Sequence, residues 1–172
     1  TSAYKFIFKC DDRSASRAST MLLRRIALNA RVVERCFATA HRDPRFAKVT
    51  PQLLEKFADV VSTPQSSIIS SLSGGQWSTV NFEELSTYNE DWMGRYKGKS
   101  TCVVRPKSTE ELSQIMRICY ENNVAVVPQG GNTGLVGGGV PVFDEVIVSL
   151  SNMNRVRSFD ATAGSLVCDA GC

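Results

Sequence analysis

The chain has 172 residues, 42% of them hydrophobic, a net charge of +3 and a single histidine, His41, which is enough for one packed core. The charge is uneven: residues 1–49 hold 11 Lys/Arg and 4 Asp/Glu, residues 50–172 hold 9 and 13, so the body of the chain lacks the basic face of a nucleic-acid-binding domain. No histidine follows His41, which excludes a histidine triad or a histidine metal site from residues 42–172, and no apolar run is long enough to span a bilayer.

Met21 to Ala40 interleaves arginines with apolar residues and holds one acid, Glu34. On a helix this gives one cationic and one apolar face, the pattern of a mitochondrial transit peptide; the alternative is a short surface helix. Met21 is a candidate start, with Thr1–Thr20 as upstream sequence. Six cysteines, Cys10, Cys36, Cys102, Cys119, Cys168 and Cys172, form no C-x-x-C pair. Zinc-ribbon spacing is therefore absent, and Cys102, Cys119 and Cys168 read as small core residues.

Thr50-Pro51 opens a helix, with a cap and a proline at its first position, and Leu53, Leu54, Phe57, Val60 and Val61 share its apolar face. The serine-rich stretch from Ser62 to Asn81 reads as a helical turn around Ile68-Ile69 and then a linker. Between Phe82 and Lys99, Tyr88 and Trp92 read as packing anchors. Cys102 to Arg105 is a short strand ended by Pro106. Ser108 and Glu111 form a capping box, Leu112, Ile115, Met116 and Cys119 mark a buried helix face, and Asn122-Asn123 ends the helix. Val124 to Val127 reads as a buried strand, so Thr101–Val127 is a βαβ unit whose strands are expected as parallel neighbours. Glu145–Leu150 is a further strand, and Arg155–Phe159 with Leu166–Ala170 a hairpin around Ala163-Gly164.

Pro128 to Pro141 reads PQGGNTGLVGGGVP and holds six of the chain's 12 glycines. Such density costs conformational entropy, which close approach of bare main chain to a ligand repays. Successive N–H groups make an anion-binding concavity, most often for phosphate, and Asn132 and Thr133 add side-chain donors. A flexible glycine loop is the alternative, against which stand the bracketing Pro128 and Pro141. No lysine follows Lys107, so the loop is no Walker A motif. The glycine spacing also misses the G-x-G-x-x-G dinucleotide fingerprint.

Arg105-Pro106 before a helix, PQGGNTGLVGG, and VPVFDEVIVSLSNMNRV together resemble the FAD-binding domain of the vanillyl-alcohol oxidase (PCMH-type) flavoproteins. The likeness runs from about Ser86 to Cys172, with a looser one over His41–Val61. It implies an α+β fold, the N-terminal half of a PCMH-type domain with a βαβ unit, a pyrophosphate loop and further strands, preceded by a helical segment. The divisions are 1–48 for upstream sequence and transit peptide, 49–97 for a helical lead-in, and 98–172 for an incomplete FAD domain. The resemblance assigns non-covalent FAD to Pro128, Gln129, Gly130, Gly131, Asn132, Thr133, Gly134, Gly137 and Gly138, with Arg105 and Pro106 at the domain's opening, where Arg105 reads equally as a cofactor contact or a surface charge. Asn154 and Arg155 match a mainly structural segment.

Within the family, Gln129–Gly138 and Phe143-Asp144-Glu145 most resemble the members that oxidise D-2-hydroxyglutarate to 2-oxoglutarate. The implied partners are that small 2-hydroxy acid and an electron-transfer flavoprotein as acceptor, in the mitochondrial matrix. Alternatives are a flavin dehydrogenase of D-lactate or glycolate, and a non-catalytic nucleotide-binding module. The metal-binding and substrate-carboxylate residues of the family lie beyond Cys172. The chain is therefore expected to be a fragment, to hold FAD weakly or not at all alone, and to carry no catalytic or metal-ligating residue of its own.

Overall fold

The structure is a computed structural model that describes residues 41–72 and 82–172; the transit-peptide reading at 21–40 lies outside them. The elements in order are α1 (Pro51–Val60), α2 (Pro64–Ser67), β1 (Ile68–Ser70), α3 (Phe82–Asn89), β2 (Cys102–Val104), α4 (Thr109–Glu121), β3 (Val126–Gln129), β4 (Val146–Ser149), β5 (Val156–Asp160) and β6 (Ser165–Cys168). This is the α+β class expected.

The helix signals act as the sequence implies. The Thr50 hydroxyl accepts from Leu53 N at 3.3 Å, with Pro51 in the first turn, satisfying an orphan donor. Ser108 caps α4, accepting from Glu111 N at 3.2 Å. Glu111 does not close the box on Ser108, however. Its carboxylate turns one residue further back to Lys107 N at 2.8 Å and across to Ser62 N at 3.0 Å. Asn122 caps the far end, and Asn123 takes the left-handed conformation at φ 52°, which asparagine tolerates.

Strands β1, β2, β4 and β3 form one sheet in that order. β2 and β3 are both parallel to β4, which lies between them, while β1 pairs antiparallel with β2. The βαβ strands are therefore parallel but not neighbours, contrary to expectation. Val146, Ile147 and Val148 are apolar on both faces and fully buried, so β4 takes the centre. β3 begins at Val126 instead of Val124, and Pro128 within it is exposed. Proline has no N–H for a second ladder, which suits it to a sheet edge.

Alternate residues feed two cores. Ile68, Cys102, Val104, Val146 and Val148 pack with Leu54 and Phe57 of α1 and Ile115 and Cys119 of α4. On the opposite face Ile69, Val103 and Ile147 meet Leu85 and Tyr88 of α3. Ile68-Ile69 is thus a strand, with the helical turn just ahead of it; β-branched residues buried on both faces favour the sheet. Met116 is turned outward and Ile118 packs in its place. Trp92 is 63% exposed, no packing anchor. β5 and β6 form the predicted hairpin with Gly164 at φ 62°, as a separate two-stranded sheet with both strands exposed. Cys168 is consequently exposed, not a core residue.

Candidate cofactor loop

Strands β2, β4 and β3 point the same way, so their C-terminal ends line one edge of the sheet. The chain leaves that edge at Arg105–Ser108, Leu150–Arg155 and Gly130. Asn152 ties two of these exits together, donating to the Arg105 carbonyl at 3.1 Å. Ligands of parallel sheets bind at such an edge.

The glycine stretch has a neck and a bend. Gln129, 3% exposed at the end of β3, spends both amide hydrogens inside the protein: Nε2 donates to the Tyr88 carbonyl at 2.9 Å and to the Gly139 carbonyl at 2.8 Å. The second bond closes the loop from its first residue to its last. Asn132 stands in the left-handed region at φ 53°, and its Nδ2 donates to the Glu90 carbonyl at 2.8 Å. The side-chain amides of Gln129 and Asn132 therefore hold the loop from within. Thr133 is exposed.

The glycines divide by what requires them. Gly137 has φ 70°, and a methyl built on it would fall 2.6 Å from Cγ of Tyr96. A methyl on Gly139 would fall 3.2 Å from Oδ1 of Asn132. The fold needs Gly137, whereas at Gly139 the Asn132 side chain would have to give way. Gly130, Gly134 and Gly138 have no positive φ and nothing within 4 Å of an added methyl, and at Gly131 the nearest atom is Cγ2 of Thr133 at 3.9 Å. The protein gives these four no reason to be glycine. None of the main-chain N–H groups from Gly131 to Gly138 donates to a protein acceptor among the described residues. An anionic ligand lying on the bare strand would use both the missing side chains and the unspent donors. The residues present thus fit a diphosphate, and any crowding by alanine at Gly131 would have to come from the ligand, since the loop itself has room.

The Arg105 side chain is taken up within the protein. Its guanidinium donates to Glu84 Oε1 and Tyr88 Oη, each at 3.2 Å, and to the Ser66 carbonyl. It pins α2 and α3 to the end of β2. Pro106 is fully buried, and Pro128 lies at the exposed edge. The structure brings Pro128–Gly138 together as one loop and leaves the Arg105 side chain on a separate task behind it.

Sequence reading missed the residues behind the loop. Asp91, 4% exposed, accepts Arg95 N at 2.7 Å and Tyr96 N at 2.8 Å through one carboxylate oxygen. The N–H of Tyr96 foremost, then that of Arg95, holds its carboxyl below the usual carboxylate range. That turn carries Tyr96 to Gly137. Tyr88 and Glu90 contribute main-chain carbonyls, which every residue type possesses, so no side-chain signal could have marked them.

Residues 100–172 match a family described as FAD binding domain. The mitochondrial D-2-hydroxyglutarate dehydrogenase of Arabidopsis thaliana is 60% identical over 90 residues, covering 52% of this chain and 16% of that protein. The D-2-hydroxyglutarate–pyruvate transhydrogenase of Saccharomyces cerevisiae is 41% identical over 142 residues, covering 83% of this chain and 27% of that one. Among solved structures, 4-ethylphenol oxidase from Gulosibacter chungangensis superposes with a TM-score of 0.53 at 20% identity, over 70% of this chain and 22% of that one. The chain thus spans about a quarter or less of the length of the proteins it matches.

Proposed function

We propose, from the premise that residues 100–172 belong to the FAD binding domain family and that their cofactor is FAD, that Gly130–Gly138 cradles the cofactor's diphosphate in a dehydrogenase of D-2-hydroxyglutarate. One observation carries the loop assignment: four glycines that neither backbone strain nor packing requires, on a stretch whose N–H groups are unspent. The substrate follows from the likeness to proteins named for D-2-hydroxyglutarate.

The chain's own residues bind and orient. Main-chain N–H groups meet phosphate oxygens as fixed dipoles, at no cost of reorganisation. Gln129 and Asn132 hold the curvature that aims them. When bound, the flavin supplies the two-electron oxidation of the 2-hydroxy acid to the 2-oxo acid. Electrons then pass to an electron-transfer flavoprotein in the mitochondrial matrix, a compartment consistent with the Arabidopsis relative's mitochondrial designation. A second acceptor has its own support: the yeast relative's name pairs D-2-hydroxyglutarate with pyruvate.

The test uses the purified full-length protein. Flavin absorbance that disappears on denaturation and filtration is expected. D-2-hydroxyglutarate should bleach it faster than D-lactate or glycolate, and adding electron-transfer flavoprotein or pyruvate then separates the two acceptors. A protein that carries an ADP-like ligand and no yellow chromophore would overturn the dehydrogenase reading in favour of a nucleotide-binding module.

A further inference from the structure

We infer that residues 88–98, which precede the segment matched by the family, are a working part of the cofactor site: they hold the glycine loop in its ligand-ready shape before any ligand arrives. The inference rests on the assignment of the loop to the FAD diphosphate.

Four contacts carry it, spread along the loop from start to finish. The Tyr88 carbonyl accepts from Gln129 where the loop leaves β3. The Glu90 carbonyl accepts from Asn132 at the left-handed bend. Tyr96 fills the space that a side chain on Gly137 would take, and Gly98 lies against Pro141 where the loop ends. A ribbon with this much glycine would otherwise have to be ordered by the cofactor itself, and affinity would fall by that ordering cost. Asn132 and Gly137 both occupy backbone conformations that ordinary residues avoid, and both are gripped by this one segment.

The segment is rigid enough for the task. Glu90 and Lys97 face each other across a β-bridge, joined by an ion pair at 3.0 Å. Gly98 N donates to the Asn89 carbonyl at 2.6 Å. Inside that closed turn, Gly94 supplies a φ of 67° and the buried Asp91 carboxylate gathers the Arg95 and Tyr96 amides. Three of the four grips come from main-chain carbonyls or from a glycine's bare backbone. The Tyr96 ring is the side chain on which the arrangement can be tested.

Tyr96 is thus a positioning residue. In the full-length protein, Tyr96→Ala is expected to weaken FAD binding about tenfold, the loss of one well-made contact. In the flavin-free protein, limited proteolysis after Leu135, exposed in the middle of the loop, should quicken, while β2 and β4 stay uncut. Tyr96→Phe, which keeps the ring, should restore both. Asn132→Gly keeps the left-handed backbone accessible but loses the grip on Glu90, and carries the same expectation should Tyr96→Ala fail to fold. Wild-type affinity together with wild-type cleavage of the loop in the folded variants would overturn the inference. A wild-type protein that takes up no FAD would overturn the functional assignment, and loop cleavage in the flavin-free variants would still decide whether residues 88–98 order the loop.

Discussion

Gly98 and Pro141 meet so closely that a methyl on Gly98 would fall 2.4 Å from Cγ of the proline and 2.7 Å from its carbonyl oxygen. Pro141 is fully buried, so it cannot swing aside. The contact fastens the lead-in segment to the proline just beyond the loop, and Lys99 N reinforces it by donating to the Phe143 carbonyl at 3.0 Å. Gly98→Ala is therefore expected to destabilise the fold by about 1–3 kcal/mol, as overpacking does. Thermal denaturation would show a midpoint several degrees lower; an unchanged midpoint would mean the two chain segments do not touch.

The outward glycines should behave in the opposite way. Gly130→Ala, Gly134→Ala and Gly138→Ala meet no atom within 4 Å and no positive φ. Without flavin each should leave stability unchanged or raise it by about 0.4–1 kcal/mol, because the unfolded chain loses freedom. Flavin retention should nonetheless fall, since the methyl occupies the cofactor's approach. Urea midpoints of the flavin-free variants set beside their flavin content separate the two effects. Equal losses in both would show that the fold, not a ligand, requires these positions.

Glu111 gives the fold an acid-sensitive joint between α4 and the end of α1. Burial alone would raise its carboxyl, but the N–H of Lys107 and the hydroxyl and N–H of Ser62 outweigh that, and it lies below its ordinary value of 4.5. Its contribution is thus fully present above that value and is lost as pH falls through the lower, folded-state value. Glu111→Gln should cost about 1–3 kcal/mol at neutral pH by leaving buried donors poorly paired. The gap between wild type and variant in urea midpoint should narrow on acidification below that ordinary value. A gap that holds constant down the acid range would refute the joint.

The thiols should sort by burial. Burial pushes the Cys119 thiol up to about 11 and the fully buried Cys102 thiol further still, whereas Cys168 and Cys172 are exposed. Since the thiolate is the reactive form, brief alkylation of the native protein followed by peptide mass spectrometry should label Cys168 and Cys172. Cys102 and Cys119 should be labelled only after denaturation. Native labelling of Cys102 would contradict the sheet order, which buries it between β1 and β4.

Local chemistry made much of this fold legible. Thr50-Pro51 and Ser108 start helices because capping is decided within one turn, and Asn123 ends one because asparagine accepts a positive φ. The loop was legible because glycine without an internal cause is itself a signal. What stayed hidden depends on distant partners. Ile68-Ile69 fits a helical turn or a strand until β2 is there to pair with it. Met116 and Trp92 are apolar enough to bury but stand 44% and 63% exposed among the described residues. The sheet order turns on which of three apolar runs is buried on both faces, and only the assembled sheet decides that. Arg105 reads as cofactor contact or surface charge because Ser66, Glu84 and Tyr88 are remote in sequence, and they are what it holds.

The parallel pairing of β3 with β4 sets a minimum on the chain between them. Having left the sheet at the end of β3, the backbone must return the whole length of the strand before β4 can begin, and it does so through Gly130–Glu145 without a helix. The glycine loop is therefore also the return path. Shortening it would pull Val146 out of register with Val126 and draw the central strand from both cores, so natural variation in this loop should tolerate exchange of residues far better than loss of them.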